Sequence, residues 1–292
     1  MISEVTAQAP AKVNLFLRVF GGMADGYHAI ETLLALTTLS DELYTVRRDQ
    51  PGVMLEVSGA DTGPDADNLV TRAARLVLDA TGNRFGVHIR LTKRIPVRAG
   101  LGGGSSDAAQ ALLTVNQLTG NAIPRHELLQ LAARLGSDVP FFLSGARLAL
   151  GWHRGERILR LPPLPPAAAI ILAPADGVST GEAYAWLDKA RREVPGRGAL
   201  ALDLEALQTW GDIARMAGND FESPVFVRHP EIRSAFEALV ATHPMVCRMT
   251  GSGSSLLAIY RHAGDREDAR MRLGRKHGSV VPVETLSALA AI

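Results

Sequence analysis

The 292-residue sequence contains only one cysteine, Cys247, and almost no net charge. A single thiol excludes an internal disulfide and a thiolate metal cluster, and it fits a reducing compartment. Lysine and arginine number 31 against 30 aspartate and glutamate residues, which gives a formal net charge of +1. Because no overall basic field draws the chain to nucleic acid or to anionic lipid, any anion site must be local.

Long apolar stretches are also missing. None approaches the roughly 18 apolar residues that cross a bilayer, and residues 1–10 lack the basic start and apolar run of a signal peptide. We therefore expect a cytoplasmic protein that binds neither membrane nor nucleic acid. With 47% hydrophobic and 21% charged residues, the composition is ordinary for a soluble globular chain of one large domain or two smaller ones.

Strand-like and helix-like periodicities alternate in the first half of the chain. Residues 53–57 and 87–91 alternate apolar with other side chains, which predicts strands, whereas residues 69–80 carry apolar side chains at helical spacing. Helical spacing also recurs over residues 108–118 and 128–135, and glycine follows both segments closely. The mixed order of these elements predicts an α+β fold.

A proline cluster, Pro162-Pro-Leu-Pro-Pro166, predicts a boundary between two domains, residues 1–162 and 163–292, because proline restricts the backbone. Beyond it, periodicity predicts three strands and one helix, at residues 169–172, 246–249 and 256–260 and at residues 232–240.

The most informative segment, at residues 100–109, reads Gly-Leu-Gly-Gly-Gly-Ser-Ser-Asp-Ala-Ala. Glycines let the backbone approach an anion, and a helix beginning at the serines directs free N–H groups and its positive end toward that anion. The segment lacks the lysine of a Walker A loop and the spacing of a Rossmann fingerprint, and the protein-kinase motifs are absent. It predicts a phosphate-binding loop of another kind, with a flexible hinge as the alternative.

A second motif, Pro10-Ala-Lys-Val-Asn-Leu, holds Lys12 and Asn14 two residues apart. On a strand, both side chains point to the same face, which we expect to be polar and solvated. The lysine can neutralise an alkoxide or a phosphoryl oxygen, and the asparagine can donate and accept hydrogen bonds. The alternative is an edge strand with solvated polar residues.

A third motif, Asp25-Gly-Tyr-His, sets an aromatic ring beside an imidazole at a glycine-permitted bend. Tyr27 can stack on a planar heterocycle, and His28 can hydrogen-bond the edge of a base. A surface turn with a half-buried tyrosine is the alternative for this motif.

Two further segments have both a structural and a functional interpretation. Asp138 lies between a helix that ends at Gly136 and Pro140, which suits the first turn of the next helix, so it can be an N-cap. It can equally be the carboxylate that accepts a proton from a substrate hydroxyl during phosphoryl transfer. The segment Met249-Thr-Gly-Ser-Gly-Ser-Ser255 lies between two predicted strands and can be a hairpin turn or a second glycine–serine element of the site.

Together these motifs resemble the galactokinase, homoserine kinase, mevalonate kinase and phosphomevalonate kinase superfamily, whose motifs run in this order. The Gly-Tyr-His segment and the double-glycine extension of the loop resemble the branch that phosphorylates a cytidine diphosphate-linked methylerythritol in the non-mevalonate isoprenoid pathway. The Gly-Tyr-His segment and the pair of Lys12 and Asn14 count against mevalonate, phosphomevalonate and homoserine kinases. The resemblance extends from Pro10 to about Tyr260. It implies a ribosomal protein S5 domain 2-like N-terminal domain and a ferredoxin-like C-terminal domain, with the active site between them.

The resemblance also implies the cofactors ATP and Mg²⁺ and the roles of individual residues. ATP is expected at the loop and at two nearby side chains, namely Gly100, Leu101, Gly102, Gly103, Gly104, Ser105, Ser106, Asn68 and Lys93. Lys12 and Asp138 are expected to be catalytic. The substrate is expected to contact Asn14, Tyr27, His28, Tyr184, Gly251 and Ser252, with Tyr27 and Tyr184 on either side of cytosine.

A loop serine, Ser105 or Ser106, is the candidate ligand of Mg²⁺, with no acidic partner assigned. A nucleotide-binding protein without catalysis is disfavoured because both Lys12 and Asp138 are present, and a monomer or weak homodimer is expected. Arg98 departs from the resemblance, since a small residue commonly precedes the loop.

Overall fold

A computed structural model describes residues 2–24, 26–65, 67–193 and 202–287. In chain order the strands are β1 (Glu4–Gly22), β2 (His28–Arg48), β3 (Gly52–Ser58), β4 (Gly86–Thr92), β5 (Leu148–His153), β6 (Arg157–Leu161), β7 (Ala168–Ala173), β8 (Gly218–Asn219), β9 (Val246–Met249), β10 (Leu256–Ile259) and β11 (Ser279–Glu284). The helices are α1 (Leu69–Ala80), α2 (Gly103–Leu118), α3 (Arg125–Leu135), α4 (Val139–Ser144), α5 (Thr180–Glu193), α6 (Trp210–Met216), α7 (Glu222–Arg228), α8 (Pro230–Val240) and α9 (Ala263–Leu273). The predicted α+β class is confirmed.

The first sheet has the strand order β3-β4-β2-β1-β8, and β5 pairs with both β2 and β6. Its centre is the long antiparallel pair of β1 and β2, and the parallel pair of β3 and β4 is connected through α1. The predicted strands at residues 53–57 and 87–91 and the helix between them are therefore present.

The second sheet, in the order β11-β7-β10-β9, is antiparallel throughout. Its chain order of strand, helices, two strands, helix and strand is the ferredoxin-like arrangement. The segment from Pro162 to Pro166 lies between β6 and β7, and so between the two sheets. Strand β8 returns to pair with β1, so the second half also completes the first sheet. The division at residue 162 remains a prediction.

The two sheets lie face to face, with helices on their outer sides. Ala169 and Ile171 of β7 pack against apolar residues of β1 and β2, whereas Ile170 and Leu172 pack against α5, α7, α8 and α9. A third apolar cluster lies between the first sheet and α1, α2, α3 and α4. The two central strands of the second sheet, β7 and β10, are thus buried on both faces, which explains their nearly continuous apolar sequences.

Local irregularities of β1 position its polar residues. Its register against β2 shifts between Pro10 and Lys12 and again between Asn14 and Phe16. Such bulges redirect side chains and often lie beside active sites. The N–H of Lys12 donates to the carbonyl of Leu101 at 2.9 Å, so the strand holds the glycine segment directly.

No helix among the described residues is long and apolar enough to cross a membrane.

Candidate active site

Two adjoining cavities share the glycine segment as their common wall. The first, of about 590 Å³, is called the aromatic cavity because Tyr27, His28, Tyr184 and Phe221 line it. The second, of about 340 Å³, is called the loop cavity because it is lined by the glycine loop, defined as residues 100–106. Gly100, Gly102 and Ser105 line both cavities. The two cavities therefore adjoin at these three residues.

The structure requires glycine at some positions of the loop and not at others. Gly100 and Gly102 have φ values of +77° and +69°, and a Cβ on Gly100 would lie 2.4 Å from the carbonyl oxygen of Thr250. These positions require glycine for backbone conformation and packing. At Gly104 an added Cβ would meet only Leu69, at 3.9 Å, and the backbone there is helical. Packing does not require glycine at this position, so the open space in front of it favours a ligand.

The helix after the loop begins earlier than the sequence suggested. Helix α2 starts at Gly103, with Gly102 in the N-cap position, so two of the consecutive glycines belong to its first turn. The N-terminal N–H groups of a helix have no intrahelical acceptor and carry the positive end of the dipole. The loop cavity is thus bounded by backbone donors that are able to bind an anion, an arrangement that a flexible hinge alone does not require.

Asn68 and Lys93, the two side chains predicted beside the loop, also line the loop cavity. Asn68 caps α1, because its Oδ1 accepts a hydrogen bond from the N–H of Val70 at 2.9 Å. Lys93 is 4% exposed in its side chain and contacts two carboxylates, Asp41 and Asp107. Burial, with a further contribution from the Asp41 charge, raises the pKa of Asp107 to about 7.

Lys12 and Asn14 lie on one face of β1, as predicted, but that face is buried rather than solvated. The residues are 5% and 4% exposed, and Lys12 Nζ donates to Asn14 Oδ1 at 2.8 Å. Strand β1 lies between β2 and β8. The expected solvation of this face and the solvated edge strand are therefore both wrong.

Asn14 also joins the two halves of the chain. Its Oδ1 accepts hydrogen bonds from the hydroxyl of Thr250 at 3.1 Å and from the N–H of Gly251 at 2.8 Å, and its Nδ2 donates to Thr32 at 2.8 Å. Together with Lys12, these partners use most of the hydrogen-bonding capacity of the amide. Asn14 lines the aromatic cavity, but its observed contacts are with the protein.

Asp138 immediately precedes α4, with Pro140 in the first turn of that helix. Its side chain makes no capping hydrogen bond among the described residues, in contrast to the simple N-cap interpretation. Instead Asp138 Oδ2 lies 3.7 Å from Lys12 Nζ, and the side chain is 37% exposed toward the aromatic cavity that it lines. A lysine and a carboxylate thus face the same space beside the glycine loop.

One end of the aromatic cavity carries the stacked rings. His28 stacks on Tyr184 with centroids 4.8 Å apart, and Tyr184 meets Phe221 edge-on at 4.9 Å. Burial, followed by the charge of Asp138, raises the pKa of Tyr184 to about 12, which keeps the phenol neutral. His28 Nε2 lies 2.8 Å from Asp188 Oδ1.

Tyr27 completes this end of the cavity and is 55% exposed. The guanidinium of Arg154 lies 4.4 Å from the centre of its ring, within the range of a cation–π contact. Arg154 is on the turn between β5 and β6 and was not found from the sequence. Asp25, the first residue of the Gly-Tyr-His motif, lies outside the described residues.

The second glycine–serine segment, residues 249–255, packs beside the glycine loop. Its residues Gly251 and Ser252 line the aromatic cavity, and the N–H of Ser255 donates to the carbonyl of Ala99 at 3.3 Å. Asn219 of β8 donates to the carbonyls of Met249 and Gly251 at 2.7 and 2.8 Å. The segment is a hairpin turn between β9 and β10, as one interpretation held, and it also forms a wall of the site.

The structure thus brings all the sequence-predicted residues to the two cavities or their shared wall, although Ser106 is buried and lines neither. Sequence reasoning missed Asp41, Asp188 and Phe221 because their partners lie far along the chain. Arg98 lines the loop cavity with φ of +57°.

Comparisons with known proteins agree with this geometry. The chain matches the family described as GHMP kinases N terminal domain over residues 68–146 and the one described as GHMP kinases C terminal over residues 201–280. It is 39% identical over 277 residues to a 4-diphosphocytidyl-2-C-methyl-D-erythritol kinase from Pelotomaculum thermopropionicum, with 93% of each chain covered. A protein of the same name from Pelobacter propionicus is 36% identical over 287 residues, covering 98% of this chain and 100% of that one. A crystal structure of 4-(cytidine 5'-diphospho)-2C-methyl-D-erythritol kinase matches with a TM-score of 0.79 at 35% identity, covering 96% of this chain and 99% of that one.

Proposed function

The chain belongs to the GHMP kinase family, and we propose that it transfers the γ-phosphoryl group of ATP to the 2-hydroxyl of 4-diphosphocytidyl-2-C-methyl-D-erythritol, a step of the non-mevalonate isoprenoid pathway. One observation carries this conclusion most directly. Two cavities meet at the glycine loop, and Lys12 and Asp138 line the aromatic cavity together with Gly100, Gly102 and Ser105 of the loop. This is the arrangement that an in-line transfer between a nucleotide and an alcohol requires.

The nucleotide belongs in the loop cavity, with its phosphates against the first turn of α2. There the N-terminal N–H groups of the helix and the open space in front of Gly104 accommodate an anion. Asn68 also lines the loop cavity, and the nucleoside is proposed to lie beside it. Backbone donors fixed before the reaction stabilise the charge of the transferring group without reorganisation.

At the other face of the loop, Asp138 and Lys12 act on the acceptor alcohol. The alcohol oxygen attacks the γ-phosphorus, the bond from that phosphorus to the β–γ bridging oxygen breaks, and the alcohol proton passes to the Asp138 carboxylate. Lys12 Nζ, held by Asn14 and 3.7 Å from Asp138, neutralises charge on the attacking oxygen and on the phosphoryl group. Positioning and charge stabilisation supply most of the catalysis in such transfers.

Oxygen ligands suit Mg²⁺, which commonly takes most of them from phosphate and water. Two loop hydroxyls fit this requirement: Ser105 lines both cavities, and Ser106 Oγ is a buried oxygen without a hydrogen-bond partner among the described residues. We propose Ser105 as the protein ligand of the ion. When bound with ATP, Mg²⁺ would neutralise phosphate charge.

The ring-bearing end of the aromatic cavity is proposed to hold the cytidine diphosphate. Tyr27 and Tyr184 offer ring faces to the base, and Arg154 places a cation at that end, where an anionic diphosphate needs one. Asp188 accepts from an N–H at His28 Nε2, and in that tautomer the Nδ1 atom is an acceptor. An acceptor suits the amino group of cytosine and disfavours the carbonyl oxygen of uracil.

The proposal is tested by supplying the purified protein with Mg²⁺-ATP and a panel of alcohols and measuring ADP release. Release should depend on the cytidylated methylerythritol. Release with mevalonate or homoserine in its place, and none with the cytidylated substrate, would contradict the proposal. A cytoplasmic location and a monomeric or weakly dimeric state remain predictions from the sequence.

A further inference from the structure

A buried charge cluster lies directly beneath the glycine loop. It consists of Asp41, Lys93 and Asp107, which are 0%, 7% and 2% exposed. Lys93 Nζ contacts Asp41 Oδ2 and lies 2.7 Å from Asp107 Oδ2. The three residues come from β2, from the segment after β4 and from the first turns of α2, so the cluster joins three elements that the chain visits separately.

The cluster fixes the chain on both sides of the loop. Before the loop, Asp41 Oδ1 accepts hydrogen bonds from the backbone N–H groups of Arg94 and Ile95. After the loop, Lys93 holds the carboxylate of Asp107 on α2. The loop between these two points therefore starts and ends on one rigid cluster, whose members have little freedom to move because they are buried.

The loop also rests on the lysine itself. A Cβ added to Gly103 would lie 3.2 Å from Lys93 Nζ and 3.1 Å from Ile95 Cγ2, distances that require the neighbours to shift. The first turn of α2 is thus packed against the ammonium group. A displaced lysine would change where the backbone donors of that turn point.

The charge of Lys93 is already balanced within the cluster. Two carboxylates surround one ammonium, and an ammonium neutralised by bound carboxylates attracts a phosphate only weakly. The cluster as a whole does not supply positive charge to the loop cavity. Its contribution to nucleotide binding must come from geometry.

We propose that Lys93 is a positioning residue, an inference that rests on the proposed ATP site. Through Asp41 and Asp107 it sets the glycine loop in the conformation that binds nucleotide phosphates, and it does not hold the nucleotide by its own charge. This role differs from the direct ATP contact expected from the sequence.

The first test is Asp107→Ala, for which the two roles predict opposite signs. If Lys93 attracted phosphate through its charge, removal of a neighbouring carboxylate would tighten ADP binding. If the cluster positions the loop, loss of the anchor on α2 should raise the Kd for ADP at least about threefold, since losing a charge-assisted hydrogen bond is costly. Calorimetry with Mg²⁺-ADP in the absence of acceptor measures this directly, and tighter binding would overturn the proposal.

The second test removes the lysine and then the charges it balances. Lys93→Met leaves two carboxylates unpaired and should raise the Kd for ADP and the KM for ATP roughly tenfold or more, with less than about a threefold change in the KM for the acceptor. The triple variant D41N/K93M/D107N is uncharged and lets one amide hydrogen-bond the other. It should return the Kd for ADP to within about threefold of the unmodified protein.

The controls separate the remaining explanations. Lys276→Met makes the same substitution at an exposed lysine and should change neither Kd nor KM. If the folded Lys93→Met variant melts at a lower temperature but binds ADP normally, Lys93 is only structural and the proposal fails. If the triple variant binds ADP as poorly as Lys93→Met, Lys93 contacts the nucleotide and the proposal also fails. An unmodified protein that binds no ADP would contradict the proposed function instead.

Discussion

The loop cavity and the aromatic cavity adjoin each other but are built from different parts of the chain. The loop cavity is bounded mainly by one continuous segment, residues 96–105, with Asn68 and Lys93 beside it, and the conformation of that segment depends on glycines and on the cluster beneath it. The aromatic cavity is bounded by side chains from both halves, with Lys12 and Tyr27 from the first and Tyr184 and Ser252 from the second. In the proposed function, the first binds the phosphates that every nucleoside triphosphate shares, and the second binds one acceptor.

This difference predicts how the two cavities respond to substitution. A backbone site should be damaged by adding atoms, because a new side chain displaces the ligand. A side-chain site should be damaged by removing atoms, because each group has a separate role. The following variants test that contrast.

The largest effect is expected at the reacting atoms. Asp138→Asn keeps the size of the side chain and removes the proton acceptor, so kcat should fall on the order of 10² to 10⁴, the usual size of a general-base effect. The fold should be unaffected, because the Asp138 side chain caps no helix among the described residues. Steady-state kinetics and a melting curve measure both quantities, and near-normal turnover would remove Asp138 from the chemistry.

In the loop cavity, Gly104→Ala adds one methyl group where protein packing leaves space. Alanine is the better helix former by up to about 1 kcal/mol, so the melting temperature should hold or rise. The Kd for Mg²⁺-ADP should nevertheless rise roughly tenfold or more, since the methyl group displaces a phosphate from charge-assisted hydrogen bonds. A variant that is more stable and binds ADP normally would place the phosphates elsewhere.

In the aromatic cavity, Tyr27→Ala removes one ring proposed to cover the base. Stacking of a base on an aromatic side chain is worth about 1–3 kcal/mol, so the KM for the cytidylated substrate should rise roughly tenfold with kcat nearly unchanged. Tyr27→Phe is the matched control, because it keeps the ring. A defect confined to kcat would contradict the proposed ring contact.

The same contrast explains what the sequence could reveal. The glycine loop could be predicted from the sequence because the residues that determine its backbone conformation are consecutive. Helix α1 and strands β3 and β4 could be predicted for the same reason, since each is determined by the periodicity of one short segment. For Lys12 and Asn14, the sequence predicted that the two side chains share one face of a strand, but it did not predict that this face is buried. The partners that bury Asn14 include Thr250, which lies 236 positions away.

The charge cluster beneath the loop could not be predicted either, because its ion pairs join residues that are distant in the sequence. Lys93 lies 52 positions from Asp41, and a lysine beside a phosphate loop is easily interpreted as a phosphate ligand. Burial and two bound carboxylates change that interpretation. Where a site depends on which charges meet, residue type and spacing cannot distinguish a group that binds from one that positions.

The smallest effect is expected from a residue that touches the acceptor only through another. Asp188 fixes the His28 ring through a partly exposed hydrogen bond, and such bonds are worth about 0.5–1.5 kcal/mol. Asp188→Asn should therefore raise the KM for the cytidylated substrate only roughly two- to tenfold. Asp188→Asn should also reduce the preference of the enzyme for the cytidylated substrate over its uridylated analogue. The reason is that His28 Nδ1 can then carry the proton and donate a hydrogen bond to the carbonyl oxygen of uracil. Competition between the two substrates measures the ratio, and an unchanged preference would show that recognition of the base depends on other groups of the aromatic cavity.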